Sequence, residues 1–450
     1  MEYLLTMVSI QQLYALFLQH PLISTDTRKI LPGSLFFALK GENFDANTFA
    51  GKAIEAGAAY AIIDNPEYQI NEKFLLVADV LAALQDLARH HRKQLTIPVI
   101  GLTGTNGKTT TKELINSVLS QHFKTVATQG NLNNHIGVPL TILTINTTHE
   151  IAVIEMGANH QKEIELLCSI AQPSHGLITN VGKAHLEGFG GFEGVKKGKG
   201  ELYDYFKNSG GTVFINTDSY ELIQMQLDRD IENVYNYGTR SDINYIYGKL
   251  TENGPFLSLK WNRSIGSEPH KIKTLLTGAY NLPNILAAIC IGVYFKLSDE
   301  EINKGLESYQ PKNNRSQIIQ TSSNTLICDY YNANPSSMQV AIENIGKIKA
   351  DEKVLILGDM FELGDEAAAE HTAIIQKAME TPVDKRFFIG KEFTHAAKSM
   401  NNGPCTMEKN LFFATAEDAI TALKTNPIKN STILIKGSRG MALERLVELF

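Results

Sequence analysis

Cysteine, cationic excess and long apolar runs are all scarce in this 450-residue sequence, and each shortage removes a class of function. No apolar run approaches the ~20 residues that a bilayer-crossing helix needs, so no membrane span is predicted. The N-terminal MEYLLTMVSIQQLYALFLQH carries Glu2 where a signal peptide has basic residues, is broken by Gln11 and Gln12, and lacks a small-residue cleavage site. It reads as an amphipathic helix. Cys168, Cys290, Cys328 and Cys405 are scattered, with no C-x-x-C pair and no histidine at zinc spacing. Reduced, mostly buried thiols and a cytoplasmic location are expected. Lys and Arg total 42 against 48 Asp and Glu, a formal charge of −6. A nucleic-acid binder needs a dense cationic face, so no nucleic-acid partner is predicted, and any anionic ligand must be caught locally.

What is present is ordinary globular composition, 43% hydrophobic and 20% charged, which excludes collagen-like, coiled-coil and disordered classes. At ~150 residues per domain the length suggests three domains, and the patterning sets unequal cuts. Residues 1–90 read as a small α/β unit, with helices near 9–19, 47–57 and 80–93 and strands at 33–39, 60–63 and 74–77. Residues 91–310 alternate buried strands at 99–102, 151–156, 176–181 and 212–216 with helices, predicting a mainly parallel sheet covered on both faces. Near 234–276 the rhythm becomes alternating, and Asn253-Gly254 marks a hairpin, hence an antiparallel extension. A helix is expected at 281–295. Residues 311–450 give four strand-helix steps of a doubly wound, Rossmann-like domain, closed by a helix over 440–449. The fold class is therefore α/β in three domains.

The most specific feature is GLTGTNGKTT at residues 101–110, between a buried strand and a helix. Backbone N–H groups of such a turn, with Gly104, Thr105, Asn106, Gly107 and Thr110, can surround a triphosphate; Lys108 adds a positive charge and Thr109 an oxygen for Mg²⁺. Its glycines fall at 101, 104 and 107, and Leu102 stands where the textual P-loop rule wants glycine.

This order resembles the ATP loop of the Mur ligase family, which includes the peptidoglycan amide ligases and folylpolyglutamate synthase. Further motifs match in family order over nearly the whole chain. The resemblance makes Glu155, in IEMGAN at 154–159, a Mg²⁺ ligand, and His185, in NVGKAHLEGFG at 180–190, the ligand of a second metal ion. It makes one lysine of KKGKGELY at 196–203 the site of a CO₂-derived carbamate, whose oxygen anion suits Mg²⁺ where an ammonium would repel it. Lys199 is assigned from its spacing to Leu202 and Tyr203, with Lys196 and Lys197 as rivals; composition alone would read the run as a solvated basic face. TGAYNLPNILAA at 277–288 is similar to the family's adenine-reading helix, with Asn281 and Asn284 as its asparagines and Tyr280 in place of its histidine. Arg315 matches the arginine that meets the terminal phosphate, and Asp329 the third-domain acid that contacts nucleotide.

Two further segments resemble the nucleotide-sugar side. Ser24, Thr25, Asp26 and Arg28 would reach the uridine end, and Asn133 and Asn134 the muramyl peptide. The family's usual D-G-H stands here as Asp45-Ala-Asn47. Among family members, DYYNANPSSM at 329–338, LGDMFELG at 357–364 and KGSRGM at 436–441 are like the ligase that joins D-alanyl-D-alanine to UDP-N-acetylmuramoyl tripeptide. That similarity assigns Tyr331, Asn332 and Asn334 to substrate. It implies ATP and Mg²⁺ as cofactors, Lys108, His185, Lys199 and Arg315 as catalytic groups, an acyl-phosphate intermediate and a monomer. Another ligase of the family, adding diaminopimelate or glutamate, and a P-loop nucleotide switch are the rival readings.

Overall fold

A computed structural model describes residues 7–253, 256–263, 266–312, 314–400 and 409–450. Cys405, residues 1–6 of the stretch read as an amphipathic helix, and Gly254 of the expected hairpin lie outside the described residues. Cys168, Cys290 and Cys328 are free and buried.

The strands form three main sheets. In the first, Ile23–Ser24, Leu35–Phe37, Tyr60–Ile63 and Phe74–Leu76 run parallel in that spatial order. Helix Val80–Gln94 starts on Asp79, whose carboxylate accepts the Ala82 N–H, and its apolar face covers this sheet.

The central sheet has nine strands. Six short strands pair in parallel about Val99–Thr103: His175–Ile178 on one side and Ile151–Glu155 on the other, with Thr212–Asn216 and Thr125–Ala127 beyond them, and Val234–Gly238, in the stretch expected to be antiparallel, joining Thr212–Asn216 in parallel instead. Both faces are covered, which is why these strands read as unbroken apolar runs. Because chain order reverses beside Val99–Thr103, a crevice opens at its carboxyl end, the usual ligand position in such sheets. The antiparallel extension is present as Ile246–Asn253, Leu257–Asn262 and His270–Lys273. Helix Asp299–Ser308 was not anticipated; its Ser298–Glu301 capping box was a sequence signal for it.

The third sheet runs Gln317–Gln320, Thr325–Asp329, Thr432–Lys436, Lys353–Gly358, Lys385–Ile389, Asn410–Phe413. Two expectations need correction. Five parallel strands replace the expected four, because Asn410–Phe413 joins the far edge, and Gln317–Gln320 adds an antiparallel strand at the other. The final helix is instead two 3₁₀ segments, Arg439–Met441 and Leu443–Leu449, split where Ala442 takes φ +49°. A left-handed residue cannot continue a right-handed helix.

Candidate functional site

Strand Val99–Thr103 delivers the phosphate loop to the carboxyl edge, and helix Lys108–Leu119 follows it. Gly104, at φ +146°, has no room for a side chain: a Cβ would stand 2.0 Å from Thr179 Oγ1. Gly107, at φ +76°, starts the helix with its Cα against the Asn284 amide. Lys108 folds back, its Nζ donating to the Gly104 and Thr105 carbonyls at 2.7 and 3.0 Å. Burial pulls its pKa down to about 8, with Glu155 opposing and Arg315 reinforcing the shift.

Beside it the Thr109 hydroxyl donates to the buried Glu155 carboxylate at 2.9 Å, and Asn133 Nδ2 donates to the same group at 2.8 Å. Leu102 and Glu155 are register partners on adjacent strands, so the sheet itself sets this spacing. The donor set suits Mg²⁺: oxygen ligands, few in number. Among the described residues no three His, Cys, Asp or Glu side chains gather to form a metal cage.

Asn281 and Asn284 are both buried beside Gly107 and bonded to each other: Asn284 Nδ2 donates to Asn281 Oδ1 at 2.9 Å, while its Oδ1 accepts from Thr111. Tyr280 is half-buried, and its hydroxyl shares a 2.7 Å hydrogen bond with Ser316. Arg315, next along, lays its guanidinium over the Tyr331 ring at 3.8 Å, and its buried Nε has no partner. Arg439 also approaches the Tyr331 ring, at 5.3 Å. Asp329 accepts the Ser316 N–H at 3.2 Å and pairs with Lys436 Nζ at 2.7 Å, the two acid and base positions being neighbours on adjacent strands.

These groups line one cleft of about 700 Å³ between the central and third sheets, together with Thr105, Asn106, Thr110, Asn134, His185, Asn332 and Asn334. Asn334 also caps helix Pro335–Lys347 through the Ser337 N–H and donates to Asn106 Oδ1 across the seam at 2.8 Å. Asn134 accepts the N–H groups of Ile136 and Gly137. His185, at φ +51°, hydrogen-bonds through Nδ1 to Glu362 of the third domain.

Lys199 lies one layer back. It is 2% exposed, donates to Ala158 O at 3.1 Å, and sits 5.0 Å from the Phe189 ring. Burial and then the field of Lys108 hold its pKa well below the usual lysine range. Lys197 is exposed, and Lys196 pairs with Glu193 at the surface.

Ser24, Thr25, Asp26 and Arg28 do not line the cleft. They form a first-domain turn with Ser24 buried, Thr25 and Asp26 half-buried and Arg28 exposed, in which the Arg28 guanidinium pairs with Asp26 at 2.8 Å and draws its carboxyl down to about 2. Asn47 is fully buried, its amide bridging Asp45 and Asp64 at 2.7 and 2.8 Å, so this asparagine is a framework group.

Residues not singled out from sequence also converge here. Asn180 Oδ1 accepts the Asn106 N–H, Lys183 pairs with Glu370 across the seam, and Lys436 holds Asp329. Of these, Lys436 carried a signal, as a charged residue ending a buried strand.

Three family models match the chain: the Mur ligase family catalytic domain over residues 21–92, the Mur ligase middle domain over 102–292, and the Mur ligase glutamate ligase domain over 314–439. UDP-N-acetylmuramoyl-tripeptide--D-alanyl-D-alanine ligase of Bacillus subtilis is 36% identical over 95% of this chain and 92% of its own. The crystal structure of MurF from Acinetobacter baumannii superposes with a TM-score of 0.84 at 32% identity, covering 95% of this chain and 92% of that one. MurF ligase from Thermotoga maritima in complex with ADP gives 0.82 at 26% identity, covering 96% and 97%. With its phosphate loop, its three sheets and these relatives in agreement from end to end, the chain belongs to the Mur ligase family.

Proposed function

We propose that this chain is an ATP-dependent ligase that joins D-alanyl-D-alanine to UDP-N-acetylmuramoyl tripeptide, a step of cytoplasmic peptidoglycan precursor synthesis. The observation that carries the reading is the convergence, on one interdomain cleft, of the phosphate loop, the Thr109–Glu155 pair, Arg315 and the third-domain pair Asp329–Lys436. Relatives named for this reaction, and one bound to ADP, support the same assignment.

The tripeptide carboxylate attacks the γ-phosphorus of ATP, ADP leaves, and an acyl phosphate forms. The dipeptide amine then attacks the acyl carbon, loses a proton and expels phosphate. Two anions must approach in the first step, so positive charge decides the rate. Lys108 must leave its own loop carbonyls to reach phosphate oxygens, and Arg315 offers an unpartnered N–H to the same region. Thr109 and Glu155 would hold Mg²⁺, which would supply further neutralisation of phosphate charge. Asn281, Asn284 and Asp329 hold the nucleoside end. We read Lys199 as the carbamate site: its contact with Ala158 O, a cleft-lining residue, supports the reading, as does burial, which favours the neutral amine that reacts with CO₂. His185 stands as the second metal position.

A smaller cavity of about 240 Å³ adjoins the cleft and shares His185, Asn332 and Asn334 with it. Phe361 and Ala333 give it an apolar wall and Arg439 a cation with no carboxylate partner among the described residues. It is small beside drug-sized pockets and suits a dipeptide with one terminal carboxylate. The domain assignments follow: 1–90 for the nucleotide sugar through Ser24, Thr25, Asp26 and Arg28, 91–310 for ATP, and 311–450 for the dipeptide. We assign a monomeric state and no nucleic-acid partner.

The test is an acceptor screen with the purified chain, ATP, Mg²⁺ and the muramyl tripeptide, read by phosphate release and product mass. Phosphate release matched by pentapeptide formation with D-alanyl-D-alanine is expected. Release with diaminopimelate or glutamate alone, or hydrolysis independent of any acceptor, overturns the reading.

A further inference from the structure

Residues 359–361 leave strand Lys353–Gly358 on consecutive anchors. Asp359 accepts the backbone N–H groups of Glu392 and Phe393, each at 3.0 Å. The Met360 N–H donates to Nε2 of fully buried His371 at 3.1 Å, and the Phe361 N–H donates to Ser438 Oγ at 3.0 Å. Glu362 follows in a left-handed conformation, φ +61°. Two residues on, Gly364 seats its Cα against Glu187, where an added Cβ would meet that side chain at 3.3 Å. This turn thereby docks on helix Leu186–Phe189, which begins at His185. His185 is left-handed too, and its Nδ1 meets Glu362 Oε2.

Two non-glycine residues, from two domains, are thus held in a costly backbone region at the point where they touch. Such conformations persist only where the surroundings over-determine them. An exposed ion pair formed by chance has no such support and contributes little. A carboxylate is an acceptor only, so this contact requires the proton to sit on Nδ1. Nε2 is then left with its lone pair, has no partner among the described residues, and belongs to a side chain that lines both cavities.

We propose that Glu362 is a positioning residue for His185: the docked third domain fixes the imidazole tautomer and ring orientation, presenting Nε2 to the cleft. The LGDMFELG segment acquires a purpose in this way, since Asp359 rigidifies the turn and Glu362 completes it. A histidine that serves as a ligand or donor commonly depends on such a partner on its other nitrogen. The assignment rests on the ligase reading for its activity assay, but the contact and the tautomer do not.

The variants are Glu362→Ala and Glu362→Gln, each alone and with His185→Ala, in the full chain. Glu362→Ala is expected to lower kcat about 10- to 100-fold with KM values moved less than about threefold. Glu362→Gln, whose amide oxygen still accepts from Nδ1–H, should recover most of the loss. In the His185→Ala background the alanine change should cost nothing further, because an effect transmitted through His185 disappears with it. Nitrogen-15 spectra of the chain with ADP, Mg²⁺ and the muramyl tripeptide should show an Nδ1–H tautomer for His185 that Glu362→Ala abolishes. An equal loss with and without His185, or an unchanged kcat and tautomer in Glu362→Ala, overturns the proposal. Should the parent chain make no pentapeptide, the ligase reading falls, while the tautomer measurement still decides the role of Glu362.

Discussion

Two grooves of similar size open at opposite ends of the central sheet, about 700 Å³ at the carboxyl ends of its strands and about 640 Å³ at the amino ends. Both hold buried or half-buried cations, so neither volume nor charge tells them apart. The difference is in how completely the cations are bonded. At the amino end, Arg92 donates from Nε to Ala171 O, from Nη1 to Leu95 O and from Nη2 to Gln172 O, all within 3.0 Å. His175 stands between the Ser174 and Tyr294 hydroxyls. At the carboxyl end, Lys436 is paired with Asp329, but Lys108 borrows carbonyls from its own loop, Arg315 has an orphaned Nε, and Lys199 has one carbonyl and no carboxylate. A buried charge costs stability unless saturated, so incomplete bonding marks the end of the sheet where a ligand is to finish the job.

The sharpest way to break this contrast is to remove one cation from each end. Lys108→Ala should reduce product formation about 10³-fold while the chain stays folded, because a poorly compensated buried charge is removed with it. Near-normal turnover would contradict the role given to Lys108. Arg92→Met should do the reverse. Three carbonyls lose their donors, and unfolding free energy should fall by about 2–4 kcal/mol, with kcat per folded molecule unchanged; urea titration and active-site-normalised kinetics separate the two.

Acid sensitivity should also belong to the amino end. Burial holds His175 at about 4, below its ordinary 6.5, so between these values the unfolded chain binds a proton that the native chain refuses. The stability at stake is complete above pH 6.5 and is lost as pH falls toward 4. His175→Gln should remove about 2 kcal/mol of the difference between urea curves at pH 7 and pH 4.5; an undiminished difference would place that acid lability elsewhere.

Most of the architecture was legible in the sequence because strands buried on both faces spell themselves as apolar runs, as at Thr212–Asn216 and Thr325–Asp329. The edge strands Gln317–Gln320 and Asn410–Phe413 were not, since a half-exposed edge strand holds only a short apolar stretch between polar residues. The nucleotide end of the site was legible for a related reason: a glycine-rich turn is a contiguous solution to a backbone problem, so it is written in one stretch. Glu362, Lys183 and Glu370 were illegible because each acts across the seam between domains, at sequence separations of 177 for Glu362 with His185 and 187 for Lys183 with Glu370. Asn47 shows the converse. Read in sequence it departs from a binding motif, whereas in the fold it is a saturated amide buried between two aspartates.

Tyr280 gives the smallest effect and the most discriminating one, because it lies at the carboxyl end yet is bonded like a residue of the amino end. Its hydroxyl is part-buried and satisfied by Ser316 at 2.7 Å; Ser316 in turn, at φ +51°, gives its N–H to Asp329, which Lys436 holds from the next strand. If completeness of bonding separates framework from catalysis, Tyr280→Phe should behave as a framework change despite its address. Loss of that one hydrogen bond should cost about 1 kcal/mol, and loosening the linker beside Arg315 should raise KM for ATP about fivefold with kcat held. A fall in kcat of two orders of magnitude, at unchanged stability, would show that the phenol acts on the reacting atoms and that saturation does not distinguish the two ends of the sheet.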